Sequence, residues 1–158
     1  SLRLLRSGAA PLGAQLHRDI ERHFGLPLIH SYGLSEDTCT AAMNPPAARR
    51  IGTVGTALAG QRIAVLQPGS EAPVATGAEG EICISGDRIM KGYQKREAET
   101  ASAISDGWLH TGDIGVMDEY GFDAKRKIIE VLEYWDRDWI YTIGARKIVL
   151  KKEKNIVL

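Results

Sequence analysis

Two short stretches of the chain hold residues suited to binding a ligand. Ser7–Leu12 is rich in glycine and alanine, and Ser31–Asp37 contains a tyrosine, serines and acidic side chains. Each stretch follows a short apolar run, so each is expected to form the loop at the C-terminal end of a strand. Parallel strands joined by a helix bring such loops to one edge of an open sheet, where these sheets bind their ligands. The two stretches therefore predict half of a ligand site.

The segment between the two stretches is predicted to be a helix. Leu16, Ile20 and Phe24 recur at intervals of four residues among polar neighbours, so this apolar face is expected to pack against the sheet. Gly25 is placed to end the helix. Residues 1–50 are interpreted as a strand–helix–strand corner of a larger α/β sheet. A packed corner alone would explain the apolar face but not the glycine-rich ends of the strands.

Composition excludes several classes of protein. The chain of 158 residues is 44% apolar and 25% charged, which is typical of a soluble globular domain. Its 20 basic and 20 acidic residues give no net charge, so nucleic acid and anionic membranes are not expected partners. No apolar run approaches the length of a membrane span, and the first residues lack the pattern of a signal peptide. A cytoplasmic location is therefore expected.

The two cysteines give little indication of chemistry. Cys39 and Cys83 lack the spacing of a metal site, and two cysteines are too few for a disulfide framework. Both are predicted to be small buried side chains of the core.

Residues 51–122 alternate short β-type runs with turn signals rich in glycine, proline and aspartate. The runs are residues 62–66, 81–85, 108–110 and 114–117. One short helix is predicted at about residues 96–102. Strands this short, mostly without helices between them, favour a small antiparallel, distorted β-barrel beside the corner. The predicted fold class is thus α/β plus β.

A further boundary is predicted near Phe122, where the net charge of the chain changes from negative to positive. Residues 123–158 are interpreted as a tail, a helix followed by strands, that packs on the rest of the chain. The predicted helix has an apolar face formed by Ile128, Ile129, Leu132 and Trp135. Three strands are predicted after it, at residues 139–143, 147–150 and 155–158, and the last two are expected to form a hairpin. The tail is either foreign sequence that covers apolar surface exposed by truncation, which its apolar runs favour, or the divergent terminus of a truncated gene product.

Four motifs occur in a characteristic order. They are Ser7-Gly-Ala-Ala-Pro-Leu12, Tyr32-Gly-Leu-Ser-Glu36, Gly80-Glu-Ile-Cys-Ile-Ser-Gly86 with Ile89-Met-Lys-Gly-Tyr93, and Gly107-Trp-Leu-His-Thr-Gly-Asp113. With these motifs the chain closely resembles the adenylate-forming superfamily, which includes acyl-CoA synthetases, 4-coumarate-CoA ligases, luciferases and the adenylation domains of peptide synthetases. The resemblance covers residues 2 to about 122 and is strongest to the acid-CoA ligases.

The resemblance implies a reaction in two steps. A carboxylate attacks the α-phosphate of ATP to give an acyl-adenylate and pyrophosphate, and the thiol of coenzyme A then displaces AMP. Mg²⁺ would neutralise the phosphates. The implied ligands of the whole family are therefore ATP or AMP, Mg²⁺, coenzyme A and a small carboxylic acid. This chain alone is expected to bind them weakly at best.

The resemblance also implies roles for individual residues. The loop Gly8-Ala9-Ala10, with Tyr32 and Gly33, would hold the adenosine. Ser35 would bond a phosphate oxygen, and Glu36 would act in catalysis through Mg²⁺, either as a ligand or as a near neighbour. Asp113 would accept hydrogen bonds from both ribose hydroxyls. Lys91, Gly92 and Tyr93 would organise the barrel.

Each of these residues also has a purely structural interpretation. Tyr32 could be a core aromatic at a strand end, Glu36 an acidic residue in the first turn of a helix, and Asp113 a turn carboxylate. His30 could line the acyl pocket or be a strand-end histidine satisfied by the backbone. Because the four motifs occur in the order that the family has, they favour descent from this family, although they do not establish activity.

The family's phosphate-binding loop and its C-terminal domain with a catalytic lysine have no counterpart in this sequence, and Lys147 is not expected to replace that lysine. The favoured hypothesis is therefore a fragment of an acid-CoA ligase that retains the adenosine and ribose side of the site and is inactive alone. The alternatives are a scaffold or interaction module without activity, and one part of a split ligase that needs a complementary chain. Self-association through exposed apolar surface is also expected.

Overall fold

The computed structural model describes residues 1–118, 128–131, 139–143 and 146–150, the last three ranges as backbone strands. The elements in these ranges are β1 (Leu5–Ser7), α1 (Ala14–Phe24), β2 (Leu28–Tyr32), a 3₁₀ helix (Ser35–Asp37), β3 (Ala42–Met43), β4 (Gly55–Ala57), β5 (Gln61–Leu66), β6 (Glu79–Gly86), α2 (Glu97–Ala103), β7 (Ile104–Ser105), β8 (Trp108–Met117), β9 (Ile128–Val131), β10 (Trp139–Ile143) and β11 (Arg146–Leu150).

Across the described ranges the strands form two sheets. The larger has nine strands in the order β1-β2-β3-β4-β9-β8-β6-β5, with β7 paired to β8, and the smaller is the antiparallel pair β10-β11. Only the first pair of the larger sheet, β1 with β2, is parallel, and the later pairs in the described chain are antiparallel. The structure thus confirms a mixed architecture in which a parallel α/β corner continues into antiparallel strands.

The corner forms as predicted, but its helix presents a different face to the sheet. α1 ends at Gly25, which adopts φ +62° and donates its backbone amide to the carbonyl oxygen of Glu21 at 2.9 Å. The predicted inward face is wrong, because Leu16 and Phe24 are 53% and 56% exposed whereas His17 is buried. The Glu21 carboxylate accepts the backbone amide of Leu28 at 2.8 Å, and this bond holds the polar side of the helix against the start of β2.

One buried cluster joins the corner to the antiparallel strands. Its members, fully buried or nearly so, are Ala41, Ala42, Val54, Ile82 and Ile84. Tyr32 and Ile89 are among the half-buried side chains that pack against this cluster. The end of β2 is therefore anchored in the same core as β6, which fixes the position of the first strand exit relative to the later motifs.

Strand β8 is continuous where two separate strands were predicted, and it contains a bulge. Glu81 of β6 pairs with Ile114 and Cys83 pairs with His110, so residues 111–113 lie opposite Ile82 alone. Thr111 Oγ1 donates to the carbonyl oxygen of Ile82 at 2.7 Å. Bulges redirect side chains and occur often beside functional sites. This one contains the last residues of the fourth motif.

The tail differs from the prediction where it is described. Ile128–Val131 is a strand, not a helix, and pairs with both β4 and β8. β-Branched residues are common in strands. Backbone pairing with these two neighbouring strands outweighs the helical spacing of the apolar residues. Strands β10 and β11 confirm two of the predicted β-type runs. Leu132, Trp135 and residues 155–158 lie outside the described residues.

The two cysteines occupy different environments. Cys83 is fully buried, as predicted, but Cys39 is exposed, so the prediction of a buried residue is wrong for Cys39. Thr38 and Cys39 both have positive φ, +52° and +87°, in the turn that follows the 3₁₀ helix, and this turn keeps the thiol at the surface. Neither helix in the described ranges has the length and apolar character that crossing a lipid bilayer requires.

Candidate functional site

The two strand exits predicted to form a ligand site lie side by side. Ser31 Oγ donates to the carbonyl oxygen of Ser7 at 3.1 Å and accepts from Arg6 Nε at 3.2 Å. A Cβ on Gly8 would lie 2.7 Å from Ser31 Oγ, so glycine allows the loop to approach β2. Ala9 adopts φ +61°. With residues 8–10 exposed, the loop presents its backbone at the sheet edge.

Tyr32 and Asp113, which are 81 residues apart, meet through their side chains. The Tyr32 hydroxyl donates to Asp113 Oδ2 at 2.5 Å. Tyr32 is half-buried, while the bulge of β8 leaves Asp113 exposed. Burial, reinforced by the Asp113 carboxylate, raises the pKa of Tyr32. The phenol therefore remains a hydrogen-bond donor at neutral pH, and the ring and the carboxylate present one joint surface.

Glu36 lies in the 3₁₀ helix that follows β2 and contacts the third motif. The Tyr93 hydroxyl donates to Glu36 Oε1 at 2.9 Å, and the Met90 amide donates to the Glu36 carbonyl at 2.7 Å. The hydrogen bond to the Glu36 carboxylate raises the pKa of Tyr93. Tyr93 had been given only a structural role, yet its hydroxyl touches the carboxylate predicted to act with Mg²⁺.

Two glycines permit this arrangement through close contacts. A Cβ on Gly33 would lie 2.2 Å from the carbonyl oxygen of Cys39, inside the turn that carries Ser35 and Glu36. Gly92, with φ +147°, lies beside α2, where a Cβ would be 2.6 Å from Thr100 Cγ2. Ser35 is exposed, and Lys91 is exposed next to Gly92. The loops around Glu36 are therefore packed too tightly for side chains at either glycine.

A buried carboxyl group next to Glu36 was not predicted. Asp37 is fully buried and accepts a hydrogen bond from Gln61 Nε2. Within the described residues, Asp37 Oδ2 and Gln61 Oε1 have no hydrogen-bond partner. Burial raises the pKa of Asp37, which favours the protonated acid. In the sequence, Asp37 is one more acidic residue after Glu36, and only its burial distinguishes it.

His30, one of the residues with two interpretations, is buried in the middle of β2. Burial lowers the pKa of its imidazole, so the ring is neutral at pH 7. A neutral, buried ring is compatible with the wall of an apolar pocket and with a purely structural role.

The predicted site residues thus fall into two adjoining groups. One group joins the first loop to Tyr32 and Asp113 through β1, β2 and the bulge of β8. The other joins Ser35 and Glu36 to Tyr93. The chemical character of the first group, exposed backbone, an aromatic ring and a carboxylate, suits a nucleoside, and that of the second, hydroxyl and carboxylate oxygens, suits phosphate and a hard cation.

Known proteins are similar to this chain in sequence and in fold. The model of a family described as "AMP-binding enzyme" matches residues 1–94. 4-Coumarate–CoA ligase 1 from Arabidopsis thaliana is 38% identical over 126 residues, which are 75% of this chain and 22% of the relative. The chain therefore spans about a fifth of the length of this curated relative.

Solved structures agree with the sequence match. ATP-bound MatB from Rhodopseudomonas palustris superposes with a TM-score of 0.74 at 33% identity, over 82% of this chain and 25% of that one. A double mutant of o-succinylbenzoate CoA synthetase from Bacillus subtilis, bound with a product analogue, gives a TM-score of 0.75 at 27% identity, over 94% of this chain and 29% of that one.

Proposed function

Since this chain belongs to the family of AMP-binding enzymes, we propose that it is part of an acid-CoA ligase and forms the adenosine and ribose side of the nucleotide site. The contact between Tyr32 and Asp113 carries this proposal. Tyr32 has an aromatic ring that can lie against the adenine, and Asp113 has a carboxylate that can accept from ribose hydroxyls. The hydroxyl of this tyrosine lies 2.5 Å from Asp113 Oδ2, although the two residues come from the second and fourth motifs.

The backbone of Gly8-Ala9-Ala10 and Gly33 would complete the adenosine contacts at the same sheet edge. Ser35, exposed at the start of the 3₁₀ helix, would donate to a phosphate oxygen. The Glu36 carboxylate supplies the oxygen ligand that Mg²⁺ prefers, and the ion would neutralise the phosphates. Tyr93 would orient this carboxylate through its hydrogen bond to Oε1.

In the whole ligase, the bound carboxylate would attack the α-phosphate, and coenzyme A would then take the acyl group. We propose that the 158-residue chain does not perform this reaction alone. Its sequence contains neither the Ser/Thr/Gly-rich loop with lysine nor a matching C-terminal lysine motif, and charge-assisted phosphate contacts contribute much of nucleotide affinity. Binding of AMP by this chain is therefore expected to be weak.

Calorimetric titration with AMP and with a non-hydrolysable acyl-adenylate analogue tests the proposal. We expect the acyl-adenylate analogue to bind, and Asp113→Ala to weaken it by roughly ten- to 100-fold, the loss of a charge-assisted hydrogen bond. Asp19→Ala is the matched control, because Asp19 pairs with Arg22 within α1. No heat with either ligand, or an unchanged affinity in Asp113→Ala, would contradict the nucleotide site.

Carboxylate-dependent exchange of pyrophosphate into ATP tests the inactivity separately. We expect no exchange by the chain alone with a panel of aromatic and aliphatic acids. Exchange that disappears in Asp113→Ala would overturn the proposed inactivity while supporting the site.

The exposed apolar side chains of the corner favour one second candidate, a part of a split ligase. Leu2, Leu16 and Phe24 are 65%, 53% and 56% exposed, and such side chains commonly mark surfaces covered by a partner. Mixing with a chain that carries the missing phosphate-binding loop should then restore exchange. Polar substitutions at Leu16 and Phe24 should prevent this restoration, and a failure with several boundaries of the partner chain would count against this candidate.

A further inference from the structure

A second cluster of reactive side chains lies on β6 and β8, on the other side of the bulge from Tyr32. Glu81, Cys83 and His110 each offer one ligand atom, and these atoms lie within 4.8 Å of one another. His110 Nδ1 is 3.5 Å from Cys83 Sγ and 3.0 Å from Glu81 Oε2. The proposed nucleotide site uses none of these three side chains.

The strand register creates this cluster. Cys83 lies directly opposite His110 in the antiparallel pair, and Glu81, two residues away on β6, projects from the same face. The bulge places Ile114 opposite Glu81, and the Glu81 carboxylate extends along the strands to His110. Sequence spacing alone did not reveal a metal site, because the third ligand comes from a different strand 27 residues away.

The three ligand atoms lie close enough to surround one tetrahedral zinc ion after a change in the Glu81 side chain. Bonds of about 2.3 Å to sulfur and about 2.0–2.2 Å to nitrogen and oxygen place neighbouring ligand atoms roughly 3.3–3.6 Å apart. The 3.5 Å between Sγ and Nδ1 already fits. The carboxylate oxygen lies 3.0 Å from Nδ1 and up to 4.8 Å from Sγ, so metal binding requires the Glu81 side chain to turn toward the thiol by as much as about 1 Å. One thiolate, one imidazole and one carboxylate are a borderline-soft ligand set, which favours Zn²⁺ over Mg²⁺ or Ca²⁺.

Neighbouring groups hold two of the ligands in a suitable orientation. Ser105 Oγ lies 3.1 Å from His110 Nε2, and an Nε2–H that donates to this hydroxyl leaves the Nδ1 lone pair directed at the cluster. The Gly112 amide donates to Glu81 Oε1 at 2.9 Å, so Oε2 is the oxygen that faces His110. Metal-binding histidines and carboxylates commonly have such outer partners.

An ion can reach the cluster from solvent. A cleft of about 360 Å³ is lined by Glu81, Ser105 and His110 together with residues 69–71. Cys83 itself is fully buried behind them. Three ligands from the protein leave a fourth position open toward this cleft, where a water molecule would complete a tetrahedral site.

We propose that Glu81, Cys83 and His110 bind a divalent transition-metal ion, for which Zn²⁺ is the best match. The ion would cross-link β6 and β8 at the bulge. The proposal does not depend on the proposed nucleotide site. The competing explanation is a Glu–His pair beside a neutral thiol with no metal affinity.

Titration of the metal-free chain with Co²⁺ distinguishes these explanations. A cobalt–thiolate bond produces a charge-transfer absorption band in the near ultraviolet, which should appear at one equivalent of Co²⁺ and disappear when Zn²⁺ displaces it. Cys83→Ser should abolish the band. Cys39→Ser is the matched control, because it removes the other thiol, which is exposed and outside the cluster, and it should leave the band unchanged.

Two more variants keep the test decisive if Cys83→Ser folds poorly. His110→Gln should weaken Zn²⁺ binding at least tenfold, and Ser105→Ala, which removes only an outer partner, should weaken it by about 10- to 100-fold. Unchanged far-ultraviolet circular dichroism would confirm that these variants fold. Absence of the band in the unaltered chain, its loss in Cys39→Ser or its persistence in Cys83→Ser would overturn the proposal.

Discussion

The Tyr32–Asp113 contact and the Glu81–Cys83–His110 cluster flank the same bulge, yet they are built in different ways. Tyr32 and Asp113 belong to strands that do not pair with each other, and Asp113 is exposed. The cluster lies on two paired strands, and its cysteine is fully buried. Strand register thus determines the cluster directly, whereas the Tyr32–Asp113 contact, the proposed nucleotide surface, requires the corner and the antiparallel strands to pack correctly. Changes to long-range packing should therefore damage the first site more than the second.

The largest expected effect is a loss of stability on substitution of Gly33, which lies next to Tyr32 in the proposed nucleotide surface. Gly33→Ser places a Cβ about 2 Å from backbone atoms of the Cys39 turn, and this overpacking should destabilise the chain by about 1–3 kcal/mol in urea unfolding. Gly13→Ser is the control, since space there is open and serine suits the start of a helix. An equal loss of stability in both variants would contradict the close packing at Gly33.

Glu81 should affect both sites. Its Oε1 accepts the amide of Gly112, next to Asp113, and its Oε2 contacts His110 of the cluster. Glu81→Ala removes the acceptor of the Gly112 amide, next to Asp113, and also one ligand of the cluster. We expect affinity for an acyl-adenylate analogue to fall by about 1 kcal/mol, a factor of roughly five, together with loss of cobalt binding. Cys83→Ser should lose cobalt binding alone. Unchanged nucleotide affinity in Glu81→Ala would show that the bulge does not position Asp113.

The buried Asp37, next to Glu36 in the chain, gives a prediction for the pH dependence of stability. Its pKa is raised on folding, so its contribution to stability is fully present below the ordinary aspartate pKa and is lost as the pH rises through the folded pKa. Asp37→Asn should remove this dependence and unfold at a similar or higher urea concentration at pH 7. A parallel loss of stability with pH in both proteins would assign the effect to another group.

The smallest expected effect is a change in the pKa values of Tyr32 and Tyr93, the two tyrosines of the proposed nucleotide site. Glu36→Gln should lower the pKa of Tyr93 toward its ordinary value, because the hydrogen bond to that carboxylate is the main cause of its shift. Tyr32 should keep its raised pKa, which is mainly due to burial. Titration of carbon-labelled tyrosines by NMR checks both expectations. Equal pKa changes in both tyrosines would show that the charge of Glu36, and not its hydrogen bond to Tyr93, causes the effect.

Local patterns predicted much of the described fold. The corner, the helix end at Gly25 and most β-type runs follow from spacing and turn residues. The face of α1 could not be predicted from its apolar spacing, because it depends on contacts with distant residues: Glu21 accepts the Leu28 amide and His17 is buried, whereas Leu16 and Phe24 are exposed. Similarly, Ile128–Val131 became a strand because β4 and β8 offered backbone partners, which a helical pattern of apolar residues cannot reveal.

The candidate sites divide in the same manner. The motifs identified the family and named Tyr32, Glu36 and Asp113, although their roles remain a prediction. They gave no sign that Tyr93 would touch Glu36 or that Asp37 would be buried. Both depend on where α2 and β5 lie relative to the 3₁₀ helix, and such distances are not encoded in any local spacing.

The family, the parallel corner and the glycines of the tight turns could be predicted from the sequence, because these features depend on residue type and short-range backbone geometry. The partners of the carboxylates could not, because they depend on how distant strands pack. The bulge brings Asp113 to Tyr32 and Glu81 to His110, and it exists because residues 111–113 oppose a single residue of β6. Pairing between distant strands sets that register, so the same bulge positions both sites.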